Sequence, residues 1–306
     1  MNFEGLSAFP LTPMDERGVD EGAFVGLVTR LAEAGVASIG ALGSTGNYAY
    51  LTREERSRAA RLAVEAAAGT PVMVSVGSTR TSLVLELAED AQTAGAAALL
   101  LAPVSYQPLR ADEVFELYAE ADRHVSVPLC VYDNPDTTHF RFSHELYRDV
   151  ARLASVQAIK TPAPPNDEAA TKIPQLQALI GTDAVIGVSG DPLAAASVLA
   201  GADAWFSVIG GLLPEAALAI ARAAQSGDAA KASDASDRLS GFWELFETYG
   251  SLRVVAAAAA RLGLTQTVNL PRPLRPLDDS ARHQLDQILD RLGLLTRTRE
   301  DPPCTQ

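Results

Sequence analysis

The sequence predicts an α/β fold, a (β/α)8 TIM barrel with additional C-terminal helices, on three observations. Short runs of small or β-branched apolar residues alternate with amphipathic stretches of about 12 to 16 residues. Such strand–helix units point to parallel βαβ pairs, and eight of them in about 210 residues suit a closed barrel. The first strand runs into Thr12-Pro13 with no Gly-x-Gly-x-x-Gly fingerprint, which weakens the open dinucleotide-binding sheet.

The elements follow in order. Strand 5–9 precedes helix 20–34, whose start is marked by Asp20. Strand 38–41 leads to helix 52–67, where Thr52 with Glu55 three residues later has the form of a capping box. Strands 72–76 and 98–101 are followed by helices 79–94 and 111–123. Strand 127–132 leads to helix 143–153, with Ser143 as its cap, and strand 156–160 to helix 168–179. Strands 184–187 and 204–208 precede helices 191–200, with Asp191 as a cap, and 214–227. The phrases AEAGVASI, TAGAAALL and LAGADAWF each pass from a helix end through Gly into a strand, where glycine stops the helix at positive φ. After residue 228 the rhythm breaks into helices 229–247, 250–262 and 280–294, joined by the proline-rich NLPRPLRPL. The predicted organisation is a catalytic barrel over 1–228, a helical extension over 229–296 and a flexible tail over 297–306.

Composition narrows the function. The chain has 306 residues, 47% hydrophobic and 21% charged, as expected of a globular protein. Its net charge of -13, with no basic cluster interleaved with aromatics, argues against nucleic-acid partners. Apolar runs are too short to cross a bilayer, so no membrane partner is expected. With no leader pattern, and with Cys130 in a strand and Cys304 in the tail as its only cysteines, the expected location is cytoplasmic. The histidines at 124, 139, 144 and 283 form no metal-binding spacing, and neither a dinucleotide fingerprint nor a Gly-rich phosphate loop is found, so neither a metal nor an external cofactor is expected.

The loops that leave the C-terminal ends of barrel strands carry the chemistry in this fold. They offer Ser44, Thr45 and Asn47 after strand 2, Ser105, Tyr106 and Gln107 after strand 4, and Tyr132 to Asn134 after strand 5, continuing to Thr137 and His139. Strand 6 ends in Lys160-Thr161, and Gly190 follows strand 7. Lys160 is the only lysine among these positions. An amine at the end of the apolar run VQAIK loses solvation, which favours its neutral, nucleophilic form; otherwise it snorkels to solvent. Tyr132 ends the neighbouring strand, so its phenol is either a proton relay beside that amine or a core ring with a wet tip. The loop GSTGN offers two hydroxyls and backbone N–H groups between glycines, a nest for a carboxylate or a plain βα turn.

In this order the motifs AFPLTP, GSTGN, YDNP, the strand-ending Lys160, VSGD and FSV resemble the dihydrodipicolinate synthase / N-acetylneuraminate lyase family of class I, Schiff-base-forming aldolases. The resemblance spans roughly residues 4–220 and extends weakly through the C-terminal helices. It implies that Lys160 forms a covalent imine with pyruvate or a related 2-oxo acid and that Tyr132 shuttles protons. Ser44 and Thr45 would hold the substrate carboxylate, with Gly190 and Phe206 lining the substrate. A homotetramer or homodimer is also implied.

Three departures bear on the reaction. The family's synthases carry an arginine where this chain has Thr137, and threonine lacks its charged fork. Their tyrosine pair after strand 4 is replaced by APVSYQPL, which leaves Tyr106 with a shifted loop, or Ser105, to complete the relay. Thr161 stands where the sugar-acid lyases have an acid. These differences favour an aldolase/lyase that makes or breaks the C–C bond beside the imine, with an aldehyde or sugar-acid partner. A 2-keto-3-deoxy sugar-acid dehydratase, dihydrodipicolinate synthase proper and a noncatalytic small-acid-binding barrel are the alternatives.

Overall fold

A computed structural model describes residues 3–295; residue 296, the predicted tail over 297–306 and Cys304 within it lie outside the described residues. Eight parallel strands close the barrel, namely β1 (Gly5–Ala8), β2 (Ser38–Ala41), β3 (Val72–Ser75), β4 (Ala98–Leu101), β5 (Leu129–Tyr132), β6 (Val156–Pro162), β7 (Val185–Ser189) and β8 (Ala204–Ser207). Each pairs with the next in sequence, and β1 pairs with both β2 and β8, so no edge is left open. The intervening helices are α1 (Glu21–Ala34), α2 (Arg53–Ala66), α3 (Thr81–Thr93), α4 (Ala111–His124), α5 (His144–Ala151), α6 (Ala169–Ile180), α7 (Ala194–Leu199) and α8 (Pro214–Gln225). The extension supplies α9 (Ala229–Asp237), α10 (Ser240–Tyr249), α11 (Ser251–Arg261) and α12 (Asp279–Arg291).

The helix starts obey local chemistry. Thr52 accepts from the Glu55 N–H and the Glu55 carboxylate accepts from the Thr52 N–H, so both halves of the capping box are made on α2. Asp20 caps α1 and Ser143 caps α5. Asp191 departs from its expected role. It accepts from the N–H groups of Val208 and Ile209 and from Trp205 Nε1, and so ties the loop after β7 to β8.

Side chains alternate across the barrel wall. Inward-facing Met73, Ala98, Leu100, Cys130, Ala158, Ala204 and Phe206 form one core together with Phe9, while outward Ile159, Val131 and Trp205 pack on the helices. Phe9 and Phe206 meet edge to face at 6.0 Å and fill the barrel. They leave no room for side chains beside them: a Cβ on Gly187 would lie 2.2 Å from Phe206, and one on Gly40 2.3 Å from Phe9. Cys130 is a free, fully buried thiol whose pKa burial pushes up to about 12, the inert filler its sequence context suggests.

Some boundaries differ from the prediction. Strands β6 and β7 run on to Pro162 and Ser189, which pair with each other; the apolar pattern stops earlier, but ladder bonds do not need apolar side chains. The predicted helix 229–247 is broken at 238–239 into α9 and α10. The predicted helix 191–200 opens with a single 3-10 turn, Asp191–Leu193, before α7. An antiparallel pairing of Met14–Asp15 with Gly18–Val19 and a one-turn helix Pro135–Thr138 are too short for a periodicity to reveal. No helix among the described residues is long and apolar enough to cross a membrane.

Candidate active site

Tyr132 and Lys160 are register partners at the C-terminal ends of β5 and β6. Both continue the inward-facing set, Tyr132 after Cys130 and Lys160 after Ala158, so they meet at the barrel mouth above the aromatic filling. The Lys160 amine lies 3.7 Å from the centre of the Tyr132 ring and 5.2 Å from that of Phe9, and the residue is 5% exposed. Among the described residues no carboxylate pairs with it. Two such ring contacts contribute about 0.5–2 kcal/mol each. An ammonium that leaves water costs several kcal/mol. Stability therefore does not account for an amine at this position.

The Tyr132 hydroxyl is shared with Ser44 Oγ at 3.1 Å and accepts from Asn134 Nδ2 at 2.9 Å. Burial alone raises the phenol pKa. The charge of Lys160 and the hydrogen bonds with Ser44, Lys160 and Asn134 outweigh it and hold the group below the ordinary tyrosine value. A phenol with both donor and acceptor partners beside an amine can pass protons in either direction.

Ser44 comes from the loop that ends β2. Within that turn the N–H groups of Gly46 and Asn47 bond to Gly43 and Ser44 carbonyls. Those of Ser44 and Thr45 donate to no backbone carbonyl among the described residues. Thr45 is buried beside them. Gly46 has no alternative here, because a Cβ would meet Leu42 Cα at 2.8 Å. Asn47 adopts φ 58° and donates from Nδ2 to the Thr12 carbonyl at 2.9 Å, so it fastens the loop to the AFPLTP segment. Arg56 fixes the other side of the loop: it donates to the Ser75 and Gly77 carbonyls and sits 5.2 Å from the Tyr48 ring.

The remaining sequence candidates divide. Phe206 is buried in the inward core against Phe9. Gly190 is exposed at φ 102°, a conformation suited to glycine, at the turn after β7. Thr137 is exposed on the one-turn helix, and His139 is exposed in a left-handed conformation just beyond it. His139 lines an open cleft of about 720 Å³ with Leu109, Pro135, Asp136, Phe140 and Arg141. Thr161 requires a correction. Strand alternation turns its side chain away from Lys160 to the helix side, where its Oγ1 lies 3.2 Å from the Tyr147 hydroxyl of α5. Tyr106, on the loop after β4, is 93% exposed in the single chain and forms no hydrogen bond with Tyr132 or Lys160.

Two contributors escaped sequence reasoning. Phe9 packs on the amine, and the inward parity of Ser7 and Phe9 in the first strand was the available signal. The other is Tyr147, which reaches Asp133, one of the positions offered after strand 5, from α5, a contact with no local signature.

The chain matches the dihydrodipicolinate synthetase family over residues 2–292. The 4-hydroxy-tetrahydrodipicolinate synthase of Hyphomonas neptunium is 31% identical over 297 residues, 96% of this chain and 100% of its own length. The dihydrodipicolinate synthase structure from Agrobacterium tumefaciens is 45% identical with a TM-score of 0.92, over 95% of this chain and 98% of that one. The chloride-inhibited dihydrodipicolinate synthase of Acinetobacter baumannii, solved in complex with pyruvate, is 24% identical with a TM-score of 0.88 over 96% and 100% of the two chains, a likeness of fold. Enzymes of this family hold their substrate as an imine on a lysine and use no metal or external cofactor. The chain therefore belongs to the dihydrodipicolinate synthetase family and is a Schiff-base-dependent lyase of the class I aldolase type.

Proposed function

We propose that Lys160 forms the imine with pyruvate or a closely related 2-oxo acid, and that the enzyme makes or breaks the C–C bond next to it with an aldehyde partner. The observation that carries this reading is the Lys160 amine, buried against Phe9 and Tyr132 with no carboxylate partner among the described residues. Ser44, Thr45 and their free N–H groups are offered to the carboxylate, and the inward aromatic filling limits the substrate's methyl end. The pyruvate complex of the Acinetobacter baumannii structure supports this choice of acid.

In the cleavage direction the amine attacks C2 and water leaves as the imine forms, with Tyr132 carrying the protons. The C3–C4 bond then breaks, its electron pair forming the C2=C3 bond of an enamine as the protonated imine is neutralised. An aldehyde departs as its hydroxyl proton passes to the phenolate, and the enamine left on the enzyme is protonated at C3 and hydrolysed to the 2-oxo acid. Preorganised groups that stabilise the charge developing on the imine lower the barrier in such a site.

The synthase reaction itself is the second reading, favoured by the names of the relatives. Assembly as a homodimer or homotetramer is part of the proposal. It is supported by Tyr106 and Val268, 93% and 69% exposed in the single chain, since large side chains left open in this way are suited to contact with a second copy. The test is a panel assay in which pyruvate release from 4-hydroxy-2-oxo acids and pyruvate consumption with aldehydes, aspartate semialdehyde included, are followed together. Turnover on the panel that is absent in Lys160→Ala supports the proposal, and turnover that persists in that variant contradicts it.

A further inference from the structure

Directly behind the Tyr132–Lys160 pair, on the helix side of the barrel wall, lies a second polar group. Asp133 and Thr161 are the next residues along β5 and β6, and by alternation both side chains point outward. Tyr147, on α5, donates its hydroxyl to Asp133 Oδ2 and approaches Thr161 Oγ1 at 3.2 Å, so one phenol bridges the two strand ends. The Asp133 N–H donates to the Lys160 carbonyl at 2.9 Å, and Ser189 Oγ donates to the Thr161 carbonyl at 3.3 Å, which continues the bracing to β7. The Tyr147 ring is itself fixed, stacked on Phe142 at 5.1 Å and 16°.

This group is expensive to keep. Asp133 is 7% exposed, its Oδ1 has no hydrogen-bond partner, and burial holds its carboxyl above the ordinary value against the opposing effects of the Tyr147 hydrogen bond and the Arg141 charge. A buried carboxylate with an unpartnered oxygen is a poor stabiliser.

We infer that Asp133 and Tyr147 are positioning residues that lock the ends of β5 and β6 and so hold the Tyr132 phenol against the Lys160 amine. The inference rests on the reading of Lys160 as the imine-forming residue. The lock acts through hydrogen-bond geometry and touches neither substrate nor the reacting atoms. An isosteric acceptor therefore replaces the carboxylate.

The experiment measures the rate of borohydride-trapped pyruvate adduct formation against pyruvate concentration for the wild type, Tyr147→Phe, Asp133→Ala and Asp133→Asn, with thermal melts of each. The expected result is a maximal trapping rate about tenfold lower in Tyr147→Phe and Asp133→Ala, a half-saturating pyruvate concentration unchanged within about twofold, and near wild-type rates in Asp133→Asn. Wild-type rates in Tyr147→Phe overturn the inference. So does a parallel loss of rate, pyruvate affinity and melting temperature that asparagine does not rescue. If Asp133→Ala does not fold, Tyr147→Phe, which removes a single oxygen, decides alone. A wild-type protein that yields no adduct on Lys160 refutes the functional proposal instead, which keeps the two failures apart.

Discussion

At the scale of residues, the proposed chemistry rests on one amine and one phenol whose surroundings are made by three loops. Tyr132→Phe removes only an oxygen that faces Ser44 and Asn134, so the fold is expected to survive with an unchanged circular dichroism spectrum. The rate of imine formation is expected to fall about 10²–10⁴-fold, the usual contribution of a positioned proton carrier. Ser44 favours the ionised phenol, so its hydroxyl lowers the Tyr132 pKa. Ser44→Ala removes that influence and raises the pKa. The basic limb of the trapping rate is therefore expected to move to higher pH; a limb that moves down or stays in place contradicts the relay. Lys160 and Tyr132 were legible in the sequence because each is the polar residue that ends an apolar strand run. Thr161 was misplaced because its facing depends on β6 continuing to Pro162, which the apolar pattern does not record. Tyr147 was invisible because it reaches Asp133 from a helix fourteen residues on.

At the scale of elements, the barrel works by alternation: one parity fills the interior and the other packs on helices. The strands and helices were readable because that alternation and the helical spacing of apolar residues are local properties. Broken helices and two-residue strands were not, since they depend on tertiary contacts such as the bonds from Trp243 Nε1 to Ser236 at the α9–α10 break. Gly187 shows how tightly the elements are matched. A methyl there would lie 2.2 Å from Phe206 and 2.9 Å from Ala204, both on the adjoining β8. Gly187→Ala is expected to lower the unfolding free energy by about 1–3 kcal/mol, as overpacking does in a filled core. The denaturant midpoint measures this; an unchanged midpoint means that the Phe206 ring yields, and with it the aromatic floor. Thr52→Ala, by contrast, removes half of a capping box at the surface and is expected to cost only about 1 kcal/mol.

At the scale of the whole molecule, the C-terminal extension is continuous with the barrel. Phe242, Leu245, Val254 and Leu285 belong to the same buried cluster as Leu31, Val74 and Trp205. The two tryptophans, Trp205 in β8 and Trp243 in α10, report on the two parts. Single-tryptophan variants are expected to melt at one temperature; separate transitions show that the extension is an independent unit. This shared core backs the barrel wall on which the Lys160 amine and the Tyr132 phenol are held in register. The most direct measurement is peptide mapping by mass spectrometry after incubation with pyruvate and borohydride. A reduced pyruvyl adduct is expected on the peptide that carries Lys160, and is expected to be absent in Lys160→Ala; an adduct on another lysine, or none with pyruvate and larger 2-oxo acids, contradicts the assignment of Lys160.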